Sequence, residues 1–158
     1  MRIGLFVLLA AFASMAQAQS EKALFNGKDL GNWVSGGYQA DIDSAHTYTG
    51  ILYEERGRGI VAKQGKKVTL LPDRKTEVTG DVSDPAKIKE SIKKDGWNEY
   101  VIICKGNKLV QKLNGIVTVE VTDENEKDRM MEGILALQLH AGPPMKVQFK
   151  EITLKEIK

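Results

Sequence analysis

The chain has 158 residues, 28% of them charged and 42% hydrophobic, with 23 Lys+Arg against 21 Asp+Glu. That length suits one domain, and so even a charge balance offers no footprint for nucleic acid or an anionic membrane. Cys104 is the only cysteine, which excludes an internal disulfide and leaves stability to a hydrophobic core.

Residues 1–18 read as a secretory signal. Arg2 supplies the charged start, residues 3–13 are almost wholly apolar, and Ala16-Gln17-Ala18 is a cleavage site of small residues. The apolar run is too short for a good membrane span. No cysteine follows the cleavage site closely, so no lipid anchor is expected. The expectation is an exported protein, periplasmic or extracellular, whose single domain occupies residues 19–158.

Beyond Leu24-Phe25-Asn26-Gly27-Lys28-Asp29-Leu30 and Trp33, the chain reads mostly as strands. Residues 38–43 alternate: Tyr38, Ala40 and Ile42 face one way, Gln39, Asp41 and Asp43 the other. Residues 47–54 are rich in β-branched and aromatic side chains, and 59–62 and 66–71 are short strands about a glycine turn. Asp84 before Pro85 opens the one helix, about residues 84–95, with Ile88 and Ile92 as a narrow stripe and Gly96 as a stop. This predicts a surface lid over the sheets.

Residues 99–105 are apolar on both faces, as a central strand should be. Residues 109–113 and 116–121 flank Asn114-Gly115, a two-residue hairpin signal. Residues 123–132 form a charged loop. Leu135, Leu137 and Leu139 then predict a core face, with Ala136, Gln138 and His140 opposite. Apolar parity flips between Val147, Phe149 and Ile152, Leu154, which predicts a β-bulge near Lys150-Glu151. Many short strands with one helix predict an all-β sandwich of two sheets rather than a parallel α/β fold.

Several side chains in this pattern suit chemistry. Gln39, Asp41 and Asp43 would stand roughly 7 Å apart along one strand face; the same alternation also describes a solvated outer face. His140 suits proton abstraction near neutrality, though a lone histidine commonly bonds a nearby loop. Tyr53-Glu54-Glu55-Arg56-Gly57-Arg58-Gly59 could bind hydroxyls and an oxyanion, or simply form a charged hairpin end. Trp97 could stack on a sugar ring but reads more like a core anchor at a strand entry, and Cys104 reads as inert. No metal motif exists in the spacing. No cofactor is implied, although Asp41, Asp43 and His140 could converge on a divalent ion.

Taken in order, the run from Leu24 to Leu30, Gly96-Trp97-Asn98-Glu99-Tyr100, Leu113-Asn114-Gly115 and Gly133 to His140 resemble the 3-keto-disaccharide hydrolase domain family. Gly133-Ile134-Leu135-Ala136-Leu137-Gln138-Leu139-His140 carries that family's Gly-x-Ile-x-Leu-Gln-x-His pattern. The resemblance implies a concanavalin-like jelly-roll β-sandwich and a small carbohydrate, a 3-keto-glycoside, as substrate. The family normally has several strands between the positions of Leu30 and Tyr38. They include an Asn-Ser-Gly-x-x-x-Arg segment beside the binding face. Here Trp33 almost adjoins Gly36-Gly37-Tyr38, so the domain is internally shortened.

A 3-keto sugar has an acidified hydrogen at C2. A base can remove it, the C1 substituent leaves, and water then adds to the enone. Direct hydrolysis would instead use two carboxyl groups. The implied catalytic set is His140, Asp41 and Asp43, with Gln39, Tyr53, Glu54, Glu55, Arg56 and Gln138 contacting substrate. Two other readings stay open: a non-catalytic carbohydrate-binding module, and an inactive shortened remnant.

Overall fold

The computed structural model describes residues 36–138 and 146–155. The readings made on residues 1–35, and on Leu139, His140 and Ile157, lie outside them. The described chain is all-β with one short helix. The strands are β1 (Gly37–Ala40), β2 (Leu52–Glu55), β3 (Gly59–Ala62), β4 (Lys66–Leu70) and β5 (Thr76–Asp81). Helix α1 (Pro85–Ser91) follows, then β6 (Tyr100–Lys105), β7 (Lys108–Leu113) and β8 (Ile116–Asp123). They form a three-stranded sheet, β1-β2-β3, and a five-stranded sheet, β5-β4-β8-β7-β6. Neighbours are antiparallel except β4 and β8, which run parallel.

Local chemistry accounts for the joints. Asn114 and Gly115 both take positive φ, 49° and 83°, as the tight β7–β8 hairpin requires. Asp84 caps α1 by accepting the Ala86 amide at 2.9 Å, and Pro85 sits at the helix start. The helix stops at Ser91, short of the expected 95. Ile92 turns extended there, and Asn114 Nδ2 donates to the freed Ser91 carbonyl at 2.7 Å.

The core lies between the sheets. Leu52, Val61 and Ala62 of the smaller sheet meet Val68, Leu70, Leu109, Val119 and Val121 of the larger, with Tyr38 packed against them. Burial of such side chains contributes about 1.5–3 kcal/mol each. Ile88 is fully buried and anchors α1, which packs on β8.

Several expectations need correction. Strand β1 ends at Ala40 and β2 begins only at Leu52, because residues 41–50 form a loop organised by Asp43. Strand β5, mostly exposed, was not expected. Residues 99–105 form a strand, but β6 is an edge strand and Ile102 is 48% exposed. Trp97 is exposed rather than a core anchor.

The largest departure is at the C-terminal side. Residues 133–138 and 146–155 hold no strand, and Leu135, Leu137, Val147, Phe149, Ile152 and Leu154 are exposed. Glu151 has φ 54°, yet no ladder surrounds it to make a bulge. Period-two patterning prepares a strand, but only a neighbouring edge satisfies its backbone groups.

Candidate functional site

The small sheet presents a polar side built from three elements. Gln39 lies directly across from Tyr53 in the β1–β2 ladder, so the two share a face. Two residues on, Asp41 accepts a hydrogen bond from Gln39 Nε2 at 3.1 Å. Glu55, across from Gly37, and Ile60, across from Tyr53, extend this side. Tyr38 and Glu54 alternate to the other side and turn inward.

Asp43 does not continue the row. Its carboxylate accepts the amides of Thr47, Tyr48 and Thr49 at 3.1, 2.9 and 2.8 Å. The Thr49 hydroxyl lies 3.0 Å from the same oxygen that takes two of those amides. Partial burial opposes its ionisation, but these donors outweigh burial and hold the carboxyl below the usual range. A group so engaged closes a turn. Gly50 completes that turn at φ 91°, where an added Cβ would meet the Thr118 side chain at 3.1 Å. The loop is thereby pressed onto β8.

Glu54 is also committed elsewhere. It pairs with Arg58, whose side chain is 5% exposed. Arg58 Nη2 donates to Asp123 Oδ2 at 2.6 Å and to the Tyr38 hydroxyl at 3.3 Å, and that hydroxyl donates to Asp123. Burial opposes the charge on Asp123, yet Arg58 and Tyr38 hold its carboxyl below the usual range. Burial, then the bond to Asp123, pushes the Tyr38 phenol up to about 12. This network ties β1 and β2 to the end of β8. Of the expected substrate contacts, Glu55 and Arg56 are exposed, Arg56 at φ 54° in the β2–β3 turn. Gln138 is exposed outside any strand, and His140 lies outside the described residues.

A second polar group is buried on the large sheet. The Tyr100 hydroxyl donates to Gln111 Oε1 at 2.7 Å, and Gln111 and Thr118 are buried among apolar neighbours. Thr118 is the extra residue of a β8 bulge, since Gln111 pairs with Val119 and Lys112 with Val117. Burial, then the negative charge of Asp41, pushes the Tyr100 phenol well above its ordinary value, so it remains a neutral donor. The sequence carried a signal for these residues. Gln111 alternates with Leu109 and Leu113, and Asp123 with Val119 and Val121, so both stand at core positions.

The sequence matches the family described as the 3-keto-alpha-glucoside-1,2-lyase-like domain over residues 34–155. The chain belongs to this family. No curated protein and no solved structure matches it. The family places the chain among domains related to 3-keto-glycosides, as enzyme or binding domain. The polar side bearing Gln39, Asp41 and Tyr53 presents hydrogen-bonding groups of both kinds, donor and acceptor. Among the described residues no three His, Cys, Asp or Glu groups are placed to hold a metal ion. His140, the expected third member with Asp41 and Asp43, is not among those residues.

Proposed function

We propose that the protein is an exported enzyme that cleaves 3-keto-glycosides by elimination followed by hydration. The observation that carries this is the Gln39–Asp41 pair beside Tyr53, in a chain of this family. Asp41 is the one carboxylate of the expected row not consumed by the fold. Asp43 closes a turn and Glu54 sits in a buried ion pair. Glu55 shares this side but lies across from Gly37, about four residues or roughly 13 Å along the strand from Asp41; that exceeds the roughly 5–9.5 Å between paired carboxyl groups, so direct hydrolysis has little support, whereas elimination needs one base.

In this reading a base takes the C2 hydrogen, the electron pair forms the C1=C2 bond, and the C1 oxygen leaves with a proton. Water then adds to C1 of the enone, and C2 regains a hydrogen from solvent. We assign the base to His140, from its place in the Gly133–His140 pattern, with Asp41 as its partner or as a sugar ligand. Gln39 and Tyr53 hold hydroxyls. Export rests on the character of residues 1–18 and is tested by N-terminal sequencing of the protein recovered outside the cytoplasm.

The second reading is a carbohydrate-binding module. It is favoured by the loss of Asp43 and Glu54 from the face, which leaves few titratable groups there. Incubation of the purified protein with a 3-keto-glucoside separates the two. Turnover supports the enzyme; saturable binding without product supports the module and overturns the enzyme.

A further inference from the structure

Two pairs within the described residues can form a succinimide, Asp95-Gly96 and Asn114-Gly115. In such a pair the backbone nitrogen of the glycine attacks the side-chain carbonyl carbon of the residue before it. The new N–C bond closes a cyclic imide. The leaving group takes the glycine amide proton and departs as ammonia from asparagine or as water from aspartic acid. Water then opens the imide, chiefly to isoaspartate, which inserts a methylene into the main chain. Glycine favours the attack because no Cβ blocks the approach. In a flexible chain the asparagine pair reacts faster, since a carboxylate resists a nucleophile more than a carboxamide does.

The fold treats the two pairs differently. Both polar atoms of the Asn114 carboxamide are held. Its Oδ1 accepts the Glu99 amide at 2.9 Å, and its Nδ2 donates to the Ser91 carbonyl at 2.7 Å and to Asn98 Oδ1 at 2.8 Å. Its own amide donates to the Glu99 carbonyl at 2.9 Å, and the Leu113–Ile116 pair closes the turn. Bringing Cγ onto the Gly115 nitrogen breaks all of the side-chain bonds together. Asp95 instead stands exposed in the turn between α1 and β6, at φ 58°. The side-chain bonds that shape this turn come from Asn98. Its Oδ1 accepts the Lys93 amide at 2.8 Å, and its Nδ2 donates to the Lys93 and Gly96 carbonyls at 3.0 and 3.2 Å. They do not engage the Asp95 carboxylate. The Gly96 amide donates to the Lys93 carbonyl at 3.2 Å, a long bond in an exposed turn.

We propose that Asp95 is a site of isoaspartate formation in the folded protein, and that the fold withholds Asn114 from the same reaction, inverting the intrinsic order of the two pairs. The protected carboxamide is the one that ties three elements together. Its conversion to a carboxylate would replace a donor by an acceptor facing the Ser91 carbonyl and Asn98 Oδ1, and would untie the end of α1 from the β7–β8 hairpin. Asp95 is linked to the same tie through Gly96 and Asn98, so a methylene inserted there pulls on it. The two marks therefore record different histories. A chain aged while folded is modified at Asp95, and a chain that has spent time unfolded is modified at Asn114.

Peptide mapping of the unmodified full chain, aged at mildly alkaline pH with and without guanidinium chloride, tests this. In denaturant Asn114 should convert faster than Asp95 and at a rate similar to Asn26, which also precedes a glycine. Without denaturant Asn114 should convert at least roughly a hundredfold more slowly, because attack awaits local opening, while Asp95 slows by less than about tenfold. Asn98→Ala should speed conversion of Asn114 in the folded chain at least about threefold and leave the rate in denaturant unchanged. Conversion of Asn114 ahead of Asp95 in the folded chain would overturn the proposal, as would an Asp95 that stays unmodified there. An unchanged folded-state rate at Asn114 in Asn98→Ala would remove the carboxamide contacts as the cause and overturn it too. If Asn98→Ala fails to fold, the order of conversion in the wild type decides alone. Neither readout depends on activity.

Discussion

Tyr38 and Asp123, 85 positions apart, meet between the sheets, the phenol donating to the carboxylate beside the Arg58 guanidinium. Through this contact the first strand of the small sheet is fixed to the last strand of the large one. The face bearing Gln39 and Asp41 is held by the same strand.

Breaking that network should cost more than any surface change. Arg58→Ala leaves Glu54 and Asp123 buried and unpaired, and should destabilise the fold by about 3–5 kcal/mol. Tyr38→Phe removes one donor and should cost about 1–3 kcal/mol. Urea unfolding of both variants checks the order. Equal stabilities for Arg58→Ala and wild type would remove the network from the account.

The pH dependence of stability follows from the same groups. The carboxyls of Asp123 and Asp43 are held below their usual range. Their contribution is therefore present above the unfolded value of about 3.9 and is lost as pH falls through the lower folded values. Tyr38 is raised to about 12. Its contribution holds below the unfolded value of about 10 and is lost as pH rises towards the folded one. Thermal melts should fall off steeply at both limits, and Asp123→Asn should flatten the acid limb.

Asp41 and Asp43 should separate cleanly. Asp43→Ala removes the anchor of residues 43–49 and should lower stability by about 1–2 kcal/mol, measured by denaturant unfolding. Asp41→Asn should leave stability near wild type and reduce turnover. His140→Ala should reduce turnover by about 10²–10⁴, as loss of a general base does. The reverse pattern, with Asp43 controlling rate and Asp41 controlling stability, would contradict the site.

Cys104 is the only cysteine and is exposed. Reductant should leave the melting temperature unchanged. A large drop would reveal a bridge between molecules.

What the sequence disclosed was mostly local. Asn114-Gly115 and Asp84-Pro85 specify their own backbone geometry, and the hairpin and helix start appear where those residues stand. Asp43 was misleading because an aspartate can either continue an alternating strand or bond the amides just ahead of it. The alternation from Tyr38 to Asp43 is silent on that choice. Glu54 has the polarity of a surface residue, but its place opposite Tyr38 turns it inward. The apolar runs in β6 and after Gly133 report an intended burial. They do not report whether a partner strand lies within reach, and the short stretch between Leu30 and Tyr38 bears on that. The β4–β8 parallel pairing depends on a crossover through β5, α1, β6 and β7, which no local pattern encodes.

The most direct test of elimination is turnover of a 3-keto-glucoside in deuterated water, followed by mass and NMR analysis of the released sugar. The account predicts one solvent deuterium at C2 for every bond cleaved, above the exchange seen in unreacted substrate and in buffer alone. Cleavage that leaves the original hydrogen at C2 would contradict elimination and return the chemistry to direct hydrolysis.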